Sequence, residues 1–291
     1  MATRRSELSL QREHETKSFV MKAHVYKETG TIVGDDIPNN KRTNTNITNW
    51  YIQEKIDGVR AVWDGECFRS CSHKIFPVHK AIIDIAKTTF GDRMIDGEFS
   101  CGRGMFQRTV SIVRNTHSTL LQWMGIKYYM FDCITDKNKT YRRRYKELKS
   151  LPCEYANFIV LPILATIDKR STIQEQLDKI MALGGEGLII RNPKKEYLPG
   201  RSSYLLKIKK FTTTEVIVTG YTDGEGKYSG MVGALVCEQY DGRQVLVGTG
   251  LTDADRMQPP PIGSEITIKY QNLSTDGIPR HPVFVEVRDY E

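Results

Sequence analysis

From residue 21 onward the chain alternates short apolar runs with polar turns, and the runs change character near residue 212. Residues 22–26 predict a first strand, 50–53 a second, and 59–63 (Val-Arg-Ala-Val-Trp) a third. Residues 30–46, rich in Gly, Asn and Asp, predict a loop. In 78–90 the apolar residues Ile82, Ile83, Ile85, Ala86 and Phe90 precede Gly91, the pattern of a helix stopped by glycine. Residues 94–100 predict a strand and turn, and 102–114 a glycine-rich loop entering a helix or strand. Residues 127–134 (Lys-Tyr-Tyr-Met-Phe-Asp-Cys-Ile) predict an aromatic strand, and 141–150 a basic helix. Ser171 and Gln174 form a capping box for a helix with the apolar face Ile173, Leu177, Ile180 and Met181, ended by Gly184-Gly185. Residues 187–190 predict a short apolar strand. In 204–211 Leu206 and Ile208 point one way and Lys207 and Lys209 the other, as in a half-buried strand with a polar lysine face.

Beyond residue 212 only strands are predicted: 215–221, 231–239, 244–248, 264–270 and 283–288. Asp-Gly turns at 223–224, 241–242 and 276–277 and Pro259-Pro260-Pro261 punctuate them. Five short strands in so short a stretch predict a small barrel. At the other end, residues 1–19 are polar and mixed in charge, with Arg4-Arg5 but no apolar core, so a flexible extension is expected rather than a secretory signal.

The chain has 291 residues, 39% hydrophobic and 26% charged, which suits a folded protein of two domains or one large one. Its net charge of +7 favours a polyanionic partner, nucleic acid first among them. The six cysteines include no Cys-x-x-Cys pair and the six histidines are scattered, which argues against a zinc site and for free thiols in a reducing compartment. No apolar run approaches the ~20 residues of a membrane helix. An intracellular protein is expected.

The chemistry centres on Lys55-Ile-Asp-Gly-Val-Arg60. A lysine at a strand end beside a turn can attack an electrophile once its ammonium loses a proton, and neighbouring cations or partial burial favour that loss. Asp57-Gly58 reads as a turn pair, because glycine tolerates positive φ. Arg60, Lys207 and Lys209 can hold a triphosphate. Glu98 and Glu186 are hard oxygen ligands for ribose hydroxyls or Mg²⁺, and Phe131 offers a flat face to a base. Each has a plainer reading: an exposed hairpin lysine, surface carboxylates, a core phenylalanine. Their combined order favours a nucleotide site.

That order resembles the covalent nucleotidyltransferase superfamily of ATP-dependent DNA ligases, RNA ligases and mRNA capping enzymes. Lys55 to Arg60 matches the lysine motif, Asp96-Gly-Glu98 the third motif, and Tyr129-Met-Phe131-Asp132 the aromatic motif after it. Glu186-Gly-Leu-Ile-Ile-Arg191 is similar to the fourth motif and Leu205-Leu-Lys207-Ile-Lys209 to the fifth. Within the superfamily, residues 102–114 and the ending 279–289 resemble the small bacterial and viral ATP-dependent DNA ligases. Where those ligases often carry Ser-Arg on the strand after the lysine motif, Phe68-Arg69-Ser70-Cys71 stands here, and Arg69 is a substitute on the same strand face.

The resemblance implies an α+β adenylation domain of antiparallel sheets with helices over residues 21–211, after an extension at 1–20, then an all-β OB-fold domain over 212–291. It implies a minimal, monomeric ATP-dependent DNA ligase, using Mg²⁺ or Mn²⁺, that seals nicks in duplex DNA. Lys55 would be the catalytic nucleophile. Gln53, Glu54, Ile56, Arg60, Glu98, Phe131, Glu186, Lys207, Lys209 and Arg288 would join it in binding ATP or AMP, with Glu98 and Glu186 at the metal. Arg69, Arg103, Gln107, Arg108 and Arg201 would contact DNA. An RNA ligase or a capping guanylyltransferase is the alternative on the same chemistry, and a non-catalytic nucleic-acid binding module is a second.

Overall fold

A computed structural model of the chain describes residues 19–26, 31–33, 43–44, 46–209, 211–274 and 276–288. Residues 1–18 of the expected extension and residue 289 of the last motif lie outside the described residues. The chain divides into two compact units, with the second beginning at Lys209.

In chain order the first unit contains β1 (Met21–Tyr26), β2 (Thr31–Val33), β3 (Thr43–Asn44), β4 (Tyr51–Glu54), β5 (Val59–Trp63), β6 (Phe68–Arg69) and helix α1 (Lys80–Phe90). It continues with β7 (Ile95–Ser100), α2 (Phe106–Arg114), α3 (Leu120–Met124), β8 (Lys127–Cys133) and α4 (Tyr141–Lys149). Then follow β9 (Phe158–Val160), β10 (Ala165–Thr166), α5 (Arg170–Ala182), β11 (Gly187–Arg191) and β12 (Gly200–Lys209). One sheet runs β10-β4-β11-β12-β1-β2-β3 and the other β6-β5-β7-β8-β9. β1 pairs with β12 and β8 with β9 in parallel, while β4 pairs antiparallel with β10 and β11, β5 with β6 and β7, and β7 with β8.

Each sheet buries one face against helices. Trp63, Phe68, Phe90, Phe99, Trp123 and Tyr128 fill the space between the second sheet and α1 to α3. Each such ring contributes on the order of 1.5–3 kcal/mol of burial. On the first sheet Ile52, Leu188, Ile190 and Leu206 pack against Ile173, Leu177 and Ile180 of α5. A third cluster, including Met21, Val62, Ile134, Tyr197 and Leu205, joins residues of both sheets.

Four local expectations are corrected. Residues 50–63 are no hairpin: β4 and β5 lie in different sheets, so the lysine segment crosses between them. Gly58 is not among the positive-φ glycines; it is needed because a Cβ there would stand 2.1 Å from the Phe99 carbonyl oxygen. Residues 30–46 include the short strands β2 and β3, the first of them the branched run Thr-Ile-Val. Ser171 does not cap α5, which begins one residue earlier. Lys169 is the N-cap, without a side-chain hydrogen bond to the helix, and Asp168 before it accepts from the Lys169 N–H at 2.7 Å and from the Thr172 hydroxyl. The loop at 102–114 resolves into a turn and the helix α2.

The second unit contains β13 (Thr212–Asp223), β14 (Val232–Glu238), β15 (Gln244–Val247), α6 (Asp253–Met257), β16 (Glu265–Tyr270) and β17 (Val283–Val287). The strand order is β15-β14-β13-β16-β17, and a bridge from Thr249 to Val283 draws the two edges together. Inward-facing Val216, Val218, Leu235, Cys237, Val247, Ile266 and Ile268 form its core, as alternation requires. Arg256 of α6 is buried and donates to the carbonyls of Val232, Gly233 and Gly248, fastening the helix over the barrel. Among the described residues no helix is long and apolar enough to cross a membrane.

Candidate active site

A cavity of about 280 Å³ opens in the first unit, lined from both sheets. Alternation places its side chains. On β12, Leu206 and Ile208 pack toward α5 while Lys207, in phase with the buried Leu205, lines the cavity. The lysine face that the sequence assigns to the outside of a half-buried strand therefore looks into the cleft. Lys22 and Arg201 stand side by side in the parallel β1–β12 register, and both line the same space.

Lys55 follows the last residue of β4. Its N–H donates to the Gly187 carbonyl at 2.9 Å, which locks it to the start of β11. Its ammonium donates to Glu186 Oε2 at 2.6 Å, with side-chain exposures of 24% and 7%. The amine is thus held in place yet still reachable from the cavity. Arg60 forks onto Asp96 at 2.7 and 2.6 Å, and Tyr197 donates to the same carboxylate at 2.7 Å. Burial alone would lower the affinity of Arg60 for its proton, but Asp96 outweighs it and holds the guanidinium firmly charged. Glu98 sits opposite Arg60 across β5 and β7. Burial pushes its carboxyl up to about 7, against the pull of Lys55 and Arg60 and with a further push from Glu186.

Phe131 lines the cavity from β8, with the guanidinium of Arg60 at 5.0 Å from its ring centroid and that of Arg191 at 5.5 Å. Gln53 is buried at the cavity edge, where it donates to the Leu161 carbonyl at 3.1 Å and accepts from the Tyr141 hydroxyl at 2.9 Å. Glu54 and Ile56 line the cavity on either side of Lys55. Lys22, Lys55, Arg60, Arg191, Arg201 and Lys207 set six cations against two carboxylates, Glu54 and Glu98, along its wall. Such a wall attracts a compact polyanion. The carboxylates of Glu98 and Glu186 suit a hard cation. Among the described residues no group of three or more His, Cys, Asp or Glu could hold a metal by itself.

The other sequence-assigned residues lie elsewhere. Lys209 and Arg288 belong to the second unit. There Lys209 donates to Gln271 and Arg288 donates to Glu215 at 2.9 Å. Arg69 is turned to Asp64 and to the His73 carbonyl, and Cys71 is exposed. Gln107 and Arg108 are exposed on the first turn of α2. Arg103 forks onto Glu54.

Two charged residues of the cavity wall have no role assigned from the sequence. Arg191 closes the fourth motif, which is its sequence signal. It is buried, donates to Asp132 at 2.6 Å and stacks on Tyr141 at 4.4 Å. Lys22 gave no local signal, because only its pairing with Arg201 brings it to the site.

Comparison with known proteins agrees with this geometry. A family model described as "ATP dependent DNA ligase domain" matches residues 37–209, more than half of the chain, and one described as "DNA ligase OB-like domain" matches residues 223–288. The chain is 30% identical over 243 residues to the DNA ligase of Haemophilus influenzae, covering 83% of this chain and 87% of that protein. It is 26% identical over 254 residues to the DNA ligase of Archaeoglobus fulgidus, covering 79% of this chain and 46% of that protein. A solved structure from a structure-function study of Lig E DNA ligases, concerned with DNA binding by a minimal scaffold, is similar with a TM-score of 0.79 and 31% identity. The match covers 92% of this chain and 98% of that one. With a lysine poised in a cation-lined cavity and an OB-like domain following it in the sequence, the chain belongs to the ATP-dependent DNA ligases.

Proposed function

We propose that Lys55 is the nucleophile of nick sealing, and that the cavity around it binds ATP. The observation that carries this is the Lys55 ammonium, held at 2.6 Å by Glu186 and open to a cavity walled by cations. In the first step the ammonium gives one proton to solvent and the neutral amine attacks the α-phosphorus in line: a P–N bond forms, the P–O bond to pyrophosphate breaks, and the second proton lost from nitrogen passes to solvent. Arg60 and Lys207 stabilise charge on the phosphates, and positioning supplies most of the rate. Glu98 holds the ribose and Phe131 stacks on the base. Glu98 and Glu186 would hold a divalent cation, Mg²⁺ or Mn²⁺, which would supply positive charge against the phosphates.

The 5′-phosphate of a nick then takes the AMP from Lys55, and the 3′-hydroxyl displaces AMP to close the strand. Arg201 at the cavity wall, together with Arg69, Gln107 and Arg108 outside it, would contact the duplex. Such binding rests on phosphates and falls steeply with salt. We take residues 21–211 and 212–291 as the two domains and the working form as a monomer on nicked duplex DNA.

The test incubates the protein with α-labelled ATP, GTP or NAD⁺ and Mg²⁺, beside Lys55→Ala, and chases with nicked DNA. Label from ATP alone, absent in Lys55→Ala and discharged as a sealed strand appears, is expected. Label retained by Lys55→Ala would remove the lysine from its role. Label from GTP would point to capping chemistry, and no label from any nucleotide would leave a binding module.

A further inference from the structure

The end of β7 and the loop after it touch the lysine segment at two points, one on each side of Lys55-Ile56. On the near side, Arg103 donates from Nε and Nη2 to the two oxygens of Glu54, both at 2.8 Å. On the far side, the Ser100 hydroxyl donates to the Asp57 carbonyl at 3.0 Å and accepts from the Gly102 N–H at 3.1 Å. Gly102 and Gly104, at φ of 119° and 72°, bracket Arg103 in backbone conformations that side chains resist. The turn is therefore shaped to aim this one arginine. A fork of two parallel charge-assisted bonds fixes both partners in orientation as well as in distance.

Glu54 is an apt handle. Its backbone pairs with Leu188 of β11, and its side chain passes over Gly185, where a Cβ would lie 3.2 Å from Glu54 Oε1. Gly185 precedes Glu186, the partner of the Lys55 ammonium. The turn that carries the nucleophile and the turn that carries its partner thus meet beneath the Arg103 fork. Tyr129 lies in the same field: burial and the Glu54 charge push its hydroxyl up, and Arg103 pulls it back. The side chain of Glu54 is 14% exposed and that of Arg103 40%, so the fork is partly shielded from water.

We infer that Arg103 is a positioning residue for Lys55, acting through Glu54 to set the geometry of the first step, rather than chiefly a contact to the DNA backbone. This rests on Lys55 being the nucleophile. The two roles separate because the first step needs no DNA. A phosphate contact leaves self-adenylylation intact and weakens binding of the duplex. A positioning fork does the reverse.

The experiment measures the rate of self-adenylylation against ATP concentration without DNA, and binding of a nicked duplex, for wild type, Arg103→Ala, Arg103→Lys and Glu54→Gln. Arg103→Ala is expected to slow the maximal rate by about tenfold or more, because a misplaced nucleophile loses rate rather than affinity. Its KM for ATP should change less than about threefold, because the phosphate-binding cations are untouched. Arg103→Lys keeps the charge but loses the fork and should recover part of the rate. Glu54→Gln keeps the shape and should show a smaller loss of the same kind. Duplex affinity should change less than about threefold, the loss of at most one phosphate contact. A wild-type maximal rate in Arg103→Ala with lost duplex affinity would overturn the inference, and so would equal losses of both. Thermal melting of each variant identifies one that has failed to fold, and Glu54→Gln carries the test if Arg103→Ala does. Failure of the wild type to take label would instead refute the role of Lys55.

Discussion

Two carboxylates of the first unit meet cations in opposite ways. Asp132 is wholly buried and takes two guanidinium groups, from Arg144 at 2.7 Å and Arg191 at 2.6 Å, each with at most 5% of its side chain exposed. Glu186 takes one ammonium, from Lys55, which keeps 24% of its side chain in reach of solvent and opens on the cavity. The first cluster is closed to solvent, with Arg191 Nε its one buried nitrogen that lacks a hydrogen-bond partner among the described residues. Arg144 and Arg191 lie over the Tyr141 ring, and Arg144 also donates to the carbonyls of Lys139 and Lys195. The second keeps its ammonium in reach of the cavity, with room to rearrange. One group of ion pairs holds the sheet and helix in place, while the other can exchange partners when a nucleotide arrives. The arginines suit the first role through their planar fork, and a lysine suits the second because its amine can become a nucleophile.

The comparison is tested most severely at Asp132. Asp132→Asn removes the charge between two buried guanidinium groups and leaves both without a counter-ion, which costs about 3–5 kcal/mol. Urea denaturation should show that loss, and Lys55 chemistry should fall with the folded fraction. A loss below about 1 kcal/mol would put the Asp132 cluster on a par with a surface ion pair and end the contrast.

The residue types at the candidate site were legible in the sequence, and the way they are brought together was not. Lys55, Glu98, Phe131, Glu186 and Lys207 each stand in a short segment whose residue types limit what it can do, and four of these, all but Glu186, line one cavity. The five strands of the second unit were equally legible, because alternation with Asp-Gly turns leaves few other readings. What escaped depends on long-range pairing. Nothing local says that β4 and β5 enter different sheets, or that Lys22 will lie beside Arg201. Gly58 reads as a turn glycine until Phe99 is placed beneath it. Nothing local says that Arg103 will fork onto Glu54.

Glu98 sharpens the comparison because it stands between the two cases, close to cations and still penalised by burial. Its carboxyl lies at about 7 in the folded chain against 4.5 ordinarily. Between those values the folded state binds the extra proton, so its stability falls as pH rises from about 4.5, and the penalty is complete above about 7. Glu98→Gln removes the penalty. It should raise stability by about 1–3 kcal/mol at pH 8 and change little at pH 4.5. Denaturation at the two pH values checks this, and an equal change at both would show that packing, not charge, sets the effect.

Glu186 is the finest test, because the contrast requires its effects on folding and on chemistry to part company. Glu186→Gln keeps the size and one acceptor for Lys55, and the ammonium can turn to solvent through the opening it already has. The stability change should stay within about 1 kcal/mol, as for a pair with access to water. The chemistry has no such escape. An amine that is no longer held toward the cavity must find its line of attack by chance, so self-adenylylation without DNA should slow by about tenfold or more. A variant that lost several kcal/mol would show that the Lys55 pair is structural like the Asp132 cluster. One that kept both its stability and its rate would show that Glu186 neither holds the fold nor aims the nucleophile.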